Sequence, residues 1–151
     1  MIKNIVYKAV ERRLYTFHDL EQAVALKRAE RMAHKGSMDG GNGHAFISDP
    51  TARYALKELE PVRWVTLNEI EDVEWPEKWI EIIRKVYQDM EPTKQKVVAM
   101  RYFRRKPVTN ISCNEPAGER TIYSWCKDFV EEVGYRAIGE HLIKLDTKTK
   151  K

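Results

Sequence analysis

Cysteine is scarce in this chain: its 151 residues include two, Cys113 and Cys126, with no CxxC spacing and no histidine pair beside them. That argues against a disulfide framework and against a metal site, and leaves two ordinary thiols. Long apolar runs are missing too. None approaches the roughly 18 residues a membrane-spanning helix needs, and the opening MIKNIVYKAVERR lacks the apolar centre of a secretory signal. The expectation is a cytoplasmic protein with no membrane contact. No long segment alternates with period two, and there is no internal repeat. Glycine is sparse outside one stretch, Lys35–Ser48 (KGSMDGGNGHAFIS), which holds four of the seven. That stretch contains neither GxxxxGK[ST] nor GxGxxG, so it reads as a connector rather than a phosphate cradle. His44 within it has no partner at ligand spacing. The carboxylates Glu69, Glu71, Asp72 and Glu74 lack a histidine or lysine placed to complete an acid–base or metal site. No catalytic residue, metal or cofactor is expected, and the chain is not expected to be an enzyme.

Hydrophobic residues make up 42% of the chain, enough for a core, and their spacing is helical. Ile2, Val6, Ala9, Val10 and Leu14 form a stripe over residues 2–15. A break follows near Tyr15–Asp19, with Asp19 as a cap for a second helix to about His34, carrying Leu20, Val24, Ala25 and Met32. Arg12, Arg13, Lys27, Arg28 and Arg31 read as a solvated face. Ser48-Asp49-Pro50 starts a helix to about Leu59, since proline presets φ at the first helical position. Trp64, Leu67 and Ile70 continue an apolar rhythm up to Trp75-Pro76. Trp79, Ile82, Ile83, Val86, Tyr87 and Met90 then make a wide apolar face. Pro92 opens a further helix that Pro107 stops.

Asn110–Phe129, NISCNEPAGERTIYSWCKDF, has the layout of a helix-turn-helix. The first helix, Val108–Asn114, buries Ile111 and keeps Ser112 small where a second helix crosses. Pro116-Ala117-Gly118 supplies the turn, with Gly118 as N-cap. In the second helix Ile122, Trp125, Cys126, Phe129, Val130 and Val133 share one face. Glu119, Arg120, Tyr123, Ser124, Lys127 and Asp128 share the other. Arginine can grip guanine bidentately, serine can bond to several bases, and lysine or tyrosine can hold phosphate. Glu115 stands where an apolar residue is usual, and Gly118 lacks a capping oxygen.

Net charge is +4, and its distribution is uneven. Residues 92–151 hold 13 Lys/Arg against 7 Asp/Glu, whereas residues 68–91 hold 3 against 8. The basic excess peaks at Arg101, Arg104, Arg105 and Lys106, just before the motif, where it suits a phosphate clamp. The expected DNA-binding residues are Arg120, Thr121, Tyr123, Ser124 and Lys127 in the groove, with Arg104, Arg105 and Lys106 on phosphates.

Residues 92–133, in which PTKQKVVAMRYF leads into this motif, resemble the DNA-binding C-terminal region of bacterial sigma factors. The whole chain is similar to the RinA/ArpU-type regulators of phages and prophages of Gram-positive bacteria. The stretches that carry this are VYKAVERRLY, AFISDPTARYALKEL, EKWIEIIRKVYQDM and ERTIYSWCKDFVEEVG. The resemblance implies a positive regulator of late genes that binds double-stranded DNA on the bacterial nucleoid. The expected fold is all-α: an N-terminal helical module (1–60), an acidic connector (61–75), a helix-turn-helix domain (76–145) and a basic tail (146–151). The N-terminal helices would support a homodimer or contact with host RNA polymerase, and the domain from about Pro76 would fold alone. The alternative is a small terminase subunit, which binds DNA for packaging and forms a ring.

Overall fold

The computed structural model describes residues 3–38 and 60–143. The helix expected over Pro50–Leu59, most of the glycine-rich stretch and the basic tail lie outside them. The chain is mostly helical. Among the described residues there are α1 (Asn4–Tyr15), α2 (Phe17–Met38), β1 (Trp64–Leu67), β2 (Glu71–Glu74), α3 (Pro76–Gln88), α4 (Pro92–Val98), a π-helical stretch (Ala99–Phe103), α5 (Val108–Asn114) and α6 (Glu119–Gly139).

Packing divides the chain into two compact units, Met1–His18 with Lys78–Lys151, and Asp19–Glu77. The N-terminal helix belongs with the C-terminal helices, because its stripe is buried among them: Val6, Val10 and Leu14 are inside, and α1 lies against α6 and the π-helical stretch. Ile5, at the edge of the stripe, is 81% exposed. The rest of this core comes from Trp79, Ile82, Ile83 and Val86 of α3, Val97 and Val98 of α4, Met100 and Tyr102 of the π stretch, Val108 and Ile111 of α5, and Ile122, Cys126, Phe129, Val130 and Val133 of α6. α4 and α5 have seven residues each. Helices that short are unstable alone, so they depend on α6, against which both pack.

Helix ends follow local chemistry. The Thr16 hydroxyl and N–H both donate to the Arg12 carbonyl, at 2.7 and 3.1 Å, and close α1. Asp19 is not the cap of α2, which begins at Phe17; it sits in the first turn, where a negative charge suits the helix dipole. α6 ends in a Schellman turn: the Leu142 N–H reaches the Ala137 carbonyl, the His141 N–H reaches Ile138, and His141 takes φ 62°. The π stretch ends the same way, one residue wider. Lys106 N–H bonds to the Met100 carbonyl and Arg105 takes φ 56°.

The second unit contains the departure from an all-α chain. Trp64–Leu67 and Glu71–Glu74 pair antiparallel with Val65 opposite Val73, in the stretch where Trp64, Leu67 and Ile70 give an apolar rhythm but no strand signal. Val65, Leu67 and Val73 are buried, while Trp64 and Ile70 are 47% and 86% exposed. Four residues of alternation suffice for a strand. The connection is three residues, Asn68 to Ile70; Asn68 and Glu69 both take positive φ (53° and 61°), and the Ile70 N–H bonds back to the Leu67 carbonyl at 3.0 Å. Across the hairpin the Thr66 hydroxyl donates to Asp72 Oδ1 at 2.7 Å. Arg28 and Arg31 are not merely solvated. Arg28 pairs with Glu77 at 2.7 Å, Arg31 donates to the Glu60 and Pro61 carbonyls, and Glu77 also accepts the Val62 N–H at 2.9 Å.

Leu14→Ala should cost about 3 kcal/mol, the usual loss for a fully buried leucine, and removing residues 1–18 should leave a chain that does not unfold cooperatively in urea. Glu69→Gly should stabilise by about 0.5–1 kcal/mol, because glycine carries no left-handed penalty at that turn; a lower urea midpoint would refute it.

Candidate nucleic-acid interface

Pro107 sets the entry to α5: it takes φ −67° and ψ 153° and accepts the N–H groups of Asn110 and Ile111. The helix covers Val108–Asn114 and buries Val108 and Ile111, the span the sequence indicated. Glu115 leaves the helix with φ −121° and ψ 152°. The Ala117 N–H folds back to the Glu115 carbonyl at 2.7 Å. Gly118 then starts α6 with extended angles, φ −76° and ψ 165°. A Cβ there would meet nothing within 4 Å, so this position does not require glycine.

Glu115 is accommodated by a charge. Its side chain is 8% exposed, and its carboxylate lies 3.3 Å from Lys96 Nζ of α4. An acid at a covered position is tolerable when it is paired. The pairing ties α4 to the turn.

α6 divides as its spacing indicates. Ile122, Cys126, Phe129, Val130 and Val133 are buried, Trp125 is half-buried, and Glu119, Arg120, Thr121, Tyr123, Ser124, Lys127 and Asp128 are exposed. The side chains of Arg120, Thr121, Ser124 and Lys127 make no hydrogen bond or ion pair among the described residues. The five expected groove residues thus share one polar surface at the start of the helix. The expected phosphate residues divide. Arg104 is exposed and Lys106 half-buried. Arg105 has a structural task, since its guanidinium donates to the Tyr15 carbonyl at 2.9 and 3.3 Å and so caps the end of α1.

A polar cluster behind this surface was not legible as one. Arg101, read with the basic patch, is not a surface charge: its side chain is 16% exposed. Its guanidinium lies over the rings of Tyr102 and Tyr123, at 5.1 and 5.0 Å, and 3.8 Å from Glu11 of α1. The Tyr102 hydroxyl donates to the same Glu11 carboxylate at 2.8 Å, and the Tyr15 ring meets Tyr102 edge-on at 4.9 Å. Glu11 lies 91 positions from Tyr102 along the chain, so no local pattern could have paired them. Burial pushes the Tyr102 hydroxyl well above its usual range; Arg101 opposes that shift and Glu11 adds to it. Burial also raises the Cys126 thiol, against the pull of Arg101. Cys126 is therefore a protonated, inert core thiol.

Beside α6 lies an open groove of about 380 Å³, floored by Val86, Met90, Trp125 and Phe129 and edged by both acidic and basic side chains. Among the described residues no three His, Cys, Asp or Glu side chains gather as a metal site, and no helix is long and apolar enough to cross a membrane. Compared with protein-family models, with curated proteins and with solved structures, the chain matches none.

The raised groups make the fold sensitive to alkali. Tyr102 and Cys126 are neutral when protonated, and folding holds their protons more tightly. Their contribution is complete below the unfolded values, about 8.5 for cysteine and about 10 for tyrosine. It is lost as pH rises through the folded ones. Urea stability should therefore fall from about pH 9 upward. Tyr102→Phe should be less stable at pH 7 by about 1 kcal/mol, for the lost hydrogen bond, yet decline less steeply above about pH 10. Parallel declines in the two proteins would exclude Tyr102 as the cause.

Proposed function

We propose that this chain binds double-stranded DNA sequence-specifically, with α5, the Glu115–Gly118 turn and α6 acting as a helix-turn-helix like that of the sigma-factor C-terminal region. In this reading it regulates transcription as RinA/ArpU-type phage and prophage regulators do, by activating late genes in the bacterial cytoplasm. The reading rests on one observation. The first three turns of α6 present Arg120, Thr121, Tyr123, Ser124 and Lys127 to solvent, while Ile122 and Cys126 anchor the same turns in the core. A helix held from behind with a polar start is what major-groove reading demands. Arg120 and Ser124 reach base edges, and Lys127 and Arg104 hold phosphate. Two half-sites would favour a homodimer, and host RNA polymerase is the further partner of an activator.

Selection of bound sites from a random duplex library tests this directly. Failure to enrich any sequence would reject specific recognition. With a selected site in hand, Arg120→Ala should weaken specific binding by about 1–3 kcal/mol and non-specific binding far less. Arg104→Ala should weaken both alike and flatten the slope of log affinity against log salt by about 0.9. Light scattering separates the alternative, since a ring of eight or more subunits would point to a terminase small subunit.

A further inference from the structure

The Glu11–Arg101–Tyr123 chain links a helix remote in sequence to the polar start of α6. Around the Arg101 guanidinium stand the Glu11 carboxylate at 3.8 Å, the Tyr102 ring at 5.1 Å, the Tyr123 ring at 5.0 Å and the Cys126 thiol. Glu11 is itself fixed by the Tyr102 hydroxyl at 2.8 Å. Tyr102 is fully buried, whereas Tyr123 is 51% exposed. The guanidinium thus lies between a buried ring and a ring that opens to solvent. Among the described residues the Tyr123 side chain makes no other ring contact and its hydroxyl no hydrogen bond.

From this geometry we infer that Arg101 is a positioning residue for Tyr123, fixed by Glu11, and that Tyr123 is a DNA-phosphate contact whose strength is set from α1. A tyrosine half in solvent ordinarily samples several side-chain orientations, and holding one costs entropy on binding. Stacking on an immobilised guanidinium removes that cost beforehand, so the hydroxyl meets a phosphate already oriented. The charge behind the ring also favours an anionic acceptor at its outer edge. Arg101 thereby contributes to the interface without reaching it. Lysine would not replace it, because a compact ammonium lacks the broad planar guanidinium that can face two rings while reaching a carboxylate. The inference rests on the DNA-binding reading above.

A double-mutant cycle tests it, with a fluorescent 30-base-pair duplex as probe and thermal unfolding recorded for every protein. Glu11→Gln keeps the size of the side chain and an acceptor for Tyr102, and Arg101→Lys keeps the positive charge. Each should weaken duplex binding about threefold to tenfold, the range of one partly shielded cation–π contact, while remaining folded at the assay temperature. Tyr123→Phe should weaken it similarly. In the Tyr123→Phe background, Glu11→Gln should have little further effect. Without DNA, the NMR signal of the Arg101 Nε–H should lose its protection from exchange in Glu11→Gln. If wild-type protein binds the duplex and the two substitutions add independently, the positioning role is wrong and the DNA-binding reading stands. If wild-type protein does not bind duplex DNA at all, both fall.

Discussion

Three aliphatic side chains hold the two ends of the first unit together. Val6, Val10 and Leu14 of α1 are buried against α6 and the π-helical stretch, although α1 ends at Tyr15 and the surface it covers begins only at Ala99. Each such burial contributes about 1.5–3 kcal/mol, which is large beside the marginal stability of a small domain. Without that covering, α6 would lose part of the surface that encloses its apolar face, and the short α4 and α5 lean on α6 in turn. The polar face of α6 keeps its orientation because the opposite face is filled.

The buried seam also carries polar groups, and their arrangement explains why they are tolerated. Unpaired, the Glu11 carboxylate and the Arg101 guanidinium would each be costly in a half-buried place. Together with the Tyr102 hydroxyl they satisfy one another, and the leftover face of the guanidinium is taken by the Tyr123 ring. Glu115 with Lys96 repeats the solution on a smaller scale. Such clusters fix a geometry more than they add stability, since exchanging water for a partner gains little net energy.

Several positions were readable one at a time but not in their roles. Val108–Asn114 and the Gly118 start of α6 follow from Pro107, Pro116 and the apolar spacing, and the structure has both helices there. Arg105 looked like its basic neighbours, yet its left-handed φ and its bonds to the Tyr15 carbonyl make it a helix-closing residue. The hairpin at 64–74 was missed for a related reason. Asn68-Glu69 is a weak turn signal compared with Asn-Gly, and four-residue strands leave too short an alternation to stand out from a helical rhythm.

The sequence by itself determined the mostly helical character, the faces of α1, α3 and α6, the places where proline and glycine interrupt, and which side chains of α6 point outward. These are local properties, set by periodicity within a few turns and by the backbone limits of single residues. Tertiary structure alone decided that α1 joins the C-terminal helices, that Arg101 is enclosed while Arg104 is exposed, and that Glu11 reaches Tyr102. Each of these depends on which apolar faces cover one another across long separations. Hydrophobic burial is non-directional, so a stripe announces that it needs a partner without naming it. The choice is made when the whole set of faces packs with its polar groups satisfied.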